Sequence, residues 1–218
     1  MLELALIFGF GFLVFRRAAL SDEDLSPLPR KISDRLGQLW KVAHTGMREN
    51  RFLRAEKALL TILKIDQKNA AAYNRLGILY AKQKEYKDAI DCFEIASSIE
   101  ASASSLHNLG LIYYETEHYD KAATAFEQAL KLEDGLAARH VAYAKVQEKL
   151  GHEKSMFQEL LRAVELEPNK ESYALLHKAY ESRGMVEEAK EIEKKISKTP
   201  AQKSQRKKIL RPKRRVVI

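Results

Sequence analysis

A single cysteine, Cys92, in 218 residues excludes a disulfide framework and any multi-thiolate zinc or iron–sulfur site. Proline is scarce, with five in the chain and none between residues 30 and 167. Nine glycines without a short period exclude a collagen-like chain, and the apolar runs beyond residue 20 are too short for a polytopic membrane protein. Phosphate-cradling and nucleophile motifs are missing too: there is no G-x-x-x-x-G-K-[ST], no G-x-G-x-x-G and no G-x-S-x-G. His152-Glu153 lacks the second histidine of a zinc protease motif, because position 156 is Met. The six histidines show no i, i+3 or i, i+4 pairing; His107 and His140 supply at most two ligands, too few to close a metal shell. Cys92, beside Phe93 on an inner helix position, reads as a small buried hydrophobe rather than a nucleophile. No cofactor, metal, catalytic residue or small-molecule substrate is expected, and the chain is not expected to be an enzyme.

Charge is present but unevenly placed. The net charge is +8, yet residues 197–218 hold nine Lys or Arg and no acid, leaving 29 basic against 30 acidic residues elsewhere. The body is about neutral and the basicity belongs to a tail. That tail, residues 200–218, carries two prolines and a dense basic run, and is expected to be disordered when free. Arg206, Lys207, Lys208, Arg211, Lys213, Arg214 and Arg215 are the candidates for contact with anionic lipid or nucleic acid, a simple solubilising tail being the alternative.

The opposite end is apolar. Residues 1–15 contain one charged side chain, Glu3, and Arg16-Arg17 follow at once. A secretory signal carries its positive charge ahead of the apolar run, so the order here is reversed. Residues 2–15 span about 21 Å as a helix, short of a ~30 Å membrane core; 1–20, with both arginines at the interface, reach about 30 Å. The expectation is a transmembrane anchor over 1–20, with the arginines holding the rest in the cytoplasm, as in a single-pass protein of a bacterial inner membrane. The alternative is a helix packed on the body. Residues 21–35, with Asp22, Glu23, Asp24, Pro27 and Pro29, read as a stiff acidic spacer.

Beyond the spacer, apolar residues recur at i, i+3, i+4 and i+7, which is helical periodicity without a convincing strand pattern. The chain also repeats itself. Tyr73, Leu76, Gly77 and Tyr80, then Tyr86, Ala89, Phe93 and Ala96, recur 33 positions later as Leu106, Leu109, Gly110 and Tyr113, then Tyr119, Ala122, Phe126 and Ala129. Weaker copies stay in phase: Leu39, Val42, Ala43, Phe52, Ala55, Leu59 and Ile62 upstream, Tyr143, Ala144, Met156, Leu160, Ala163 and Pro168 downstream, then Tyr173, Leu176, Tyr180, Gly184 and Ala189. This pattern resembles the tetratricopeptide repeat (TPR). The resemblance implies an all-α solenoid of about five helical hairpins over 36–199, with repeats 36–69, 70–102, 103–136, 137–169 and 170–199.

Physics supports the pattern independently. Gly77, Gly110, Ala89 and Ala122 are small where the two helices of a hairpin cross, and Tyr80, Phe93, Tyr113 and Phe126 are bulky where neighbours meet. One helix pair cannot bury its apolar face alone, so several must stack. Two departures stand out. His140 and Gln147 occupy aromatic positions of the fourth copy, which predicts looser packing against the third. His177 and Glu193 replace a small and an aromatic residue in the last copy, where a cap tolerates polarity.

Family resemblance further implies a concave groove lined by the first helix of each hairpin. Its positions here are Trp40, His44, Asn74, Ile78, Lys82, His107, Leu111, Tyr114, Val141 and Lys145, with Lys178 beyond them. Such a lining suits a peptide or helix of a protein partner bearing some acidic groups. A chaperone-tail carboxylate clamp is not implied, since Asn74, Ile78, Ala138 and Val141 stand at four of its five positions and only Asn108 matches. The expected function is a non-enzymatic scaffold or adaptor at the cytoplasmic face of a membrane. The alternatives are a nucleic-acid- or ribosome-associated factor working through the tail, and a soluble adaptor whose apolar start packs on the solenoid.

Overall fold

The computed structural model describes residues 30–199, and every regular element in that range is an α-helix. Ten helices follow one another: α1 (Arg30–Arg48), α2 (Phe52–Ile65), α3 (Ala70–Gln83), α4 (Tyr86–Ile99), α5 (Ala103–Glu115), α6 (Tyr119–Leu132), α7 (Ala137–Lys149), α8 (Glu153–Leu166), α9 (Lys170–Ser182) and α10 (Val186–Lys198). Consecutive helices pair into five hairpins. The chain divides into two compact units, Met1–Gln67 and Lys68–Ile218. The first contains the α1–α2 hairpin, closed around Ala43, Ala55, Leu59 and Ile62. The second contains the other four hairpins.

Each hairpin turns by the same device. Within two residues of the end of each first helix, one residue takes a left-handed backbone: Asn50, Lys84, Glu117, Gly151 and Gly184, with φ of 57, 65, 62, 76 and 70°. The next amide then reaches back five residues, as in Glu85 N–H to the Tyr80 carbonyl (2.9 Å) and His118 N–H to the Tyr113 carbonyl (2.8 Å). Both bonds satisfy carbonyls that the end of a helix would otherwise leave bare. Only two of the five positions use glycine, so three turns carry the steric cost of a Cβ.

Packing in the second unit follows the small and large residues. A Cβ on Gly77 would lie 2.7 Å from Phe93 Cε1, and one on Gly110 2.9 Å from Phe126 Cε2, so each phenylalanine ring rests on a bare helix backbone. Two core clusters lie among the described residues of this unit. Phe93, Leu109, Ile112, Tyr113, Phe126 and Val146 belong to one, and Ala144, Met156, Leu160, Leu176 and Ile192 to the other, so α7 serves both.

Looser packing at the third and fourth hairpins is not what the structure has. His140 is buried, with Nδ1 2.7 Å from Glu159 Oε2 and Nε2 2.8 Å from the Asp134 carbonyl oxygen. Gln147 is buried with Oε1 2.8 Å from His152 Nδ1. Polar side chains replace the aromatics here, but their hydrogen-bonding groups find partners, so burial carries little penalty. In the last hairpin His177 is half-buried, 3.3 Å from Glu181. Ile192 is buried one residue before exposed Glu193.

The transmembrane helix expected over 1–20, and with it the single-pass placement at the cytoplasmic face of an inner membrane, is corrected. Among the described residues no helix is long and apolar enough to cross a membrane. The described helices run 13–19 residues and pair a buried stripe with a charged one, which suits a protein neighbour and not surrounding lipid. Residues 1–20 lie outside the described residues, as do the basic residues Arg206, Lys207, Lys208, Arg211, Lys213, Arg214 and Arg215.

Candidate functional site

The first helices of the second unit carry a run of three depressions. One of about 240 Å³ lies between α3 and α5, walled by Ile78, Ala81, Lys82, Phe93, Asn108 and Leu111. The next, about 230 Å³, lies between α5 and α7, walled by His107, Leu111, Tyr114, Glu115, Phe126, Val141 and Lys145. A third, about 170 Å³, lies between α7 and α9, walled by Val141, Lys145, Glu148, Leu160, Leu175 and Lys178. Leu111 is shared by the first two, and Val141 and Lys145 by the last two, so the run is continuous.

Local sequence explains why these helices present these faces. Asn69, Ser102 and Asn169 cap α3, α5 and α9, each side-chain oxygen accepting an amide three residues on. Helix α7 follows Leu136, whose side chain supplies no such cap. There Arg139, only 1% exposed, bends back to donate to the Glu133 backbone carbonyl, and its Nη2 lies 3.1 Å from the Glu133 carboxylate. In the next hairpin Ser172 Oγ makes the equivalent bond to the Glu167 carbonyl, 2.5 Å. A guanidinium thus does at one junction what a hydroxyl does at the next, and its Nε has no hydrogen-bond partner.

Of the ten groove positions read from the sequence, Ile78, Lys82, His107, Leu111, Tyr114, Val141 and Lys145 line the depressions. Asn74 reaches Asn108, whose Nδ2 donates to Asn74 Oδ1 at 3.3 Å. Trp40, half-buried, and His44, exposed, belong to the separate first unit. Sequence reasoning passed over Phe93 and Phe126 as wall residues. Their signal was the glycine 16 positions earlier, which lets each buried ring lie against the first helix beneath that face.

Chemistry in the run is that of recognition. Leu111 is 38% exposed, while Tyr114 stacks edge-on with Tyr119 at 5.7 Å. His107 meets Phe126 edge-on at 5.4 Å; burial, then the charge of Arg139, lowers its pKa from 6.5 and favours the neutral ring. His107 and His140 face different partners, and among the described residues no three of His, Cys, Asp or Glu gather where a metal would sit. Cys92 is buried; its desolvation, with Asp88 and Asp91 adding charge repulsion, pushes the thiol up to about 11. Such a thiol stays protonated and is a poor nucleophile near neutral pH.

Residues 68–133 match the tetratricopeptide repeat family model. The sequence matches no curated protein. Among solved structures, that of a MamA protein is 20% identical with a TM-score of 0.68, over 76% of this chain and 92% of that one. MamA from Desulfovibrio magneticus RS-1 is 14% identical with a TM-score of 0.68, over 76% and 94%. YrrB, described as a TPR protein with an unusual peptide-binding site, is 20% identical with a TM-score of 0.61, over 72% and 81%. At these identities the likeness is one of fold.

Proposed function

We propose that this tetratricopeptide-repeat chain is a protein-interaction scaffold whose first-helix face over residues 68–199 takes up a peptide or a helix from a protein partner. The observation that carries this reading is the continuous run of three depressions, in which exposed Leu111 stands between half-buried apolar walls and exposed lysines. An exposed leucine flanked by polar donors is the composition of a recognition surface: apolar contact supplies affinity, and the surrounding polar groups set register. Rigid helices hold the lining in place, so a partner orders itself on a preformed face and little is lost to reorganising the scaffold. The peptide-binding site of YrrB is consistent with such a use of this fold.

The test is selection of random 12-residue peptides displayed on phage against the full chain, followed by titration calorimetry of synthetic hits. Leu111→Asp is expected to abolish their binding. Leu132→Asp, at an exposed leucine outside the depressions, is expected to leave it intact. Peptides that bind both variants alike would sink the assignment of this face.

A further inference from the structure

One register position on the four first helices of the second unit changes character along the run. It reads Ile78 on α3, Leu111 on α5, Lys145 on α7 and Lys178 on α9, at steps of 33, 34 and 33 residues. Because the positions correspond, the four side chains form a single file down the middle of the face, apolar for two helices and cationic for two. Lys145 and Lys178 are exposed, and among the described residues neither has an acidic partner.

The acids nearby make their contacts with other groups. Glu148, which lines the α7–α9 depression with both lysines, has Oε1 3.4 Å from Nη1 of Arg183, whose Nε is 3.2 Å from Glu153, and Glu181 lies 3.3 Å from His177 Nδ1. Glu115 lines the middle depression, but Lys82 and Lys149 hold the corresponding positions one repeat earlier and one repeat later. Arg139, buried and paired with Glu133, is close enough to His107 to disfavour a positive charge on that ring. The central file therefore ends in two exposed ammonium groups that no carboxylate meets among the described residues.

We infer that the partner segment is apolar where it crosses α3 and α5 and acidic where it crosses α7 and α9, so that the file from Ile78 to Lys178 fixes which way round it lies. This rests on the groove reading above and adds the chemistry and polarity of the occupant. Apolar side chains of the partner cover Ile78 and Leu111, and carboxylates approach the ammonium groups of Lys145 and Lys178. Because those ammonium groups are exposed, their contribution is screened by salt and acts mainly on register and encounter. A reversed segment would set carboxylates on leucine and isoleucine and leave both lysines facing apolar side chains, so orientation is selected by mismatch as well as by attraction.

The deciding experiment repeats the 12-residue phage selection on the full chain and on the Lys145→Glu/Lys178→Glu variant. Peptides from the unaltered chain are expected to join an apolar stretch to clustered Asp and Glu at one end, and to bind the variant about tenfold or more weakly at low salt. The variant is expected to return Lys or Arg at that end with the apolar stretch unchanged. Lys145→Gln/Lys178→Gln, which adds no new charge, is expected to lose the acidic preference without gaining a basic one. Binders that depend on Leu111 but show no acidic bias, or a bias indifferent to charge reversal, would overturn the inference and leave the groove reading standing. An absence of Leu111-dependent binders would remove both.

Discussion

The ring of Phe93 lies against the backbone of Gly77, so near that a Cβ at position 77 would stand 2.7 Å from the ring edge. Phe93 is 1% exposed and belongs to the core cluster that continues into α5 and α6, so it has no room to swing away. Gly77 is thus matched to one particular large residue on the facing helix, and Gly110 repeats the match with Phe126.

Gly77→Ala is therefore a contest between two effects. Alanine gains about 1 kcal/mol of helix propensity over glycine, while overpacking costs about 1–3 kcal/mol. At 2.7 Å overpacking is expected to win, giving a net loss of about 1 kcal/mol, with a larger loss for Gly77→Leu. Urea unfolding of both variants measures it; a Gly77→Ala protein more stable than the parent would show that the ring yields.

The hairpin turns give a prediction of the opposite sign. Lys84 and Glu117 hold left-handed backbone at φ 65 and 62°. Replacing either by glycine relieves a strain of about 1 kcal/mol, less the backbone entropy glycine loses on folding. Lys84→Gly and Glu117→Gly are expected to be neutral to mildly stabilising. Gly151→Val, at φ 76°, is expected to lose about 1–2 kcal/mol. Thermal melts of the three variants decide it, and equal losses in all would contradict the turn geometry.

At the α6–α7 junction the ion pair is lopsided: the Arg139 side chain is 2% exposed and that of Glu133 62%. Removing Glu133 leaves a buried guanidinium short of its counter-charge, whereas removing Arg139 leaves a carboxylate free to hydrate. Glu133→Ala is expected to cost about 1–3 kcal/mol, unusual for so exposed a residue. Arg139→Met, which keeps the volume, is expected to cost less. A reversed order in denaturant titrations would mean that the guanidinium is stabilised by something other than Glu133.

His107 confers a pH dependence of definite sign. Burial and Arg139 lower its folded pKa below the ordinary 6.5, so the unfolded chain binds its proton first as the medium acidifies. The stability this ring contributes is complete above 6.5 and is lost as the pH falls through the folded value. His107→Gln is expected to flatten the fall in stability between about pH 7 and 5 relative to the parent. Parallel slopes in the two proteins would show that His107 does not titrate differently on folding.

Much of the fold was legible in the residues, and the reason is locality. Helical periodicity, a recurrence at 33 residues and the pairing of Gly77 with Phe93 and Gly110 with Phe126 are properties of short stretches, and they specify a helix pair wherever it lies. The file Ile78, Leu111, Lys145, Lys178 could be placed on one face because each hairpin presents its first helix in the same register. Turn residues were less visible: Asn50, Lys84 and Glu117 carry no glycine signal, since the two back-reaching hydrogen bonds enforce their conformation.

What the tertiary structure alone decided is where the buried polar groups find partners. His140 and Gln147 looked like gaps in an aromatic pattern, yet Glu159, the Asp134 carbonyl and His152 meet them, because the α6–α7 loop and helix α8 are brought alongside. Arg139 reads as an ordinary basic residue until the loop folds over it and its charge acquires an environment. Trp40 and His44 belong to the unit that ends at Gln67 and the run of depressions to the other, although the repeat register continues across that point. Periodicity is written in the order of residues; the surroundings of a charge exist only once distant segments have met.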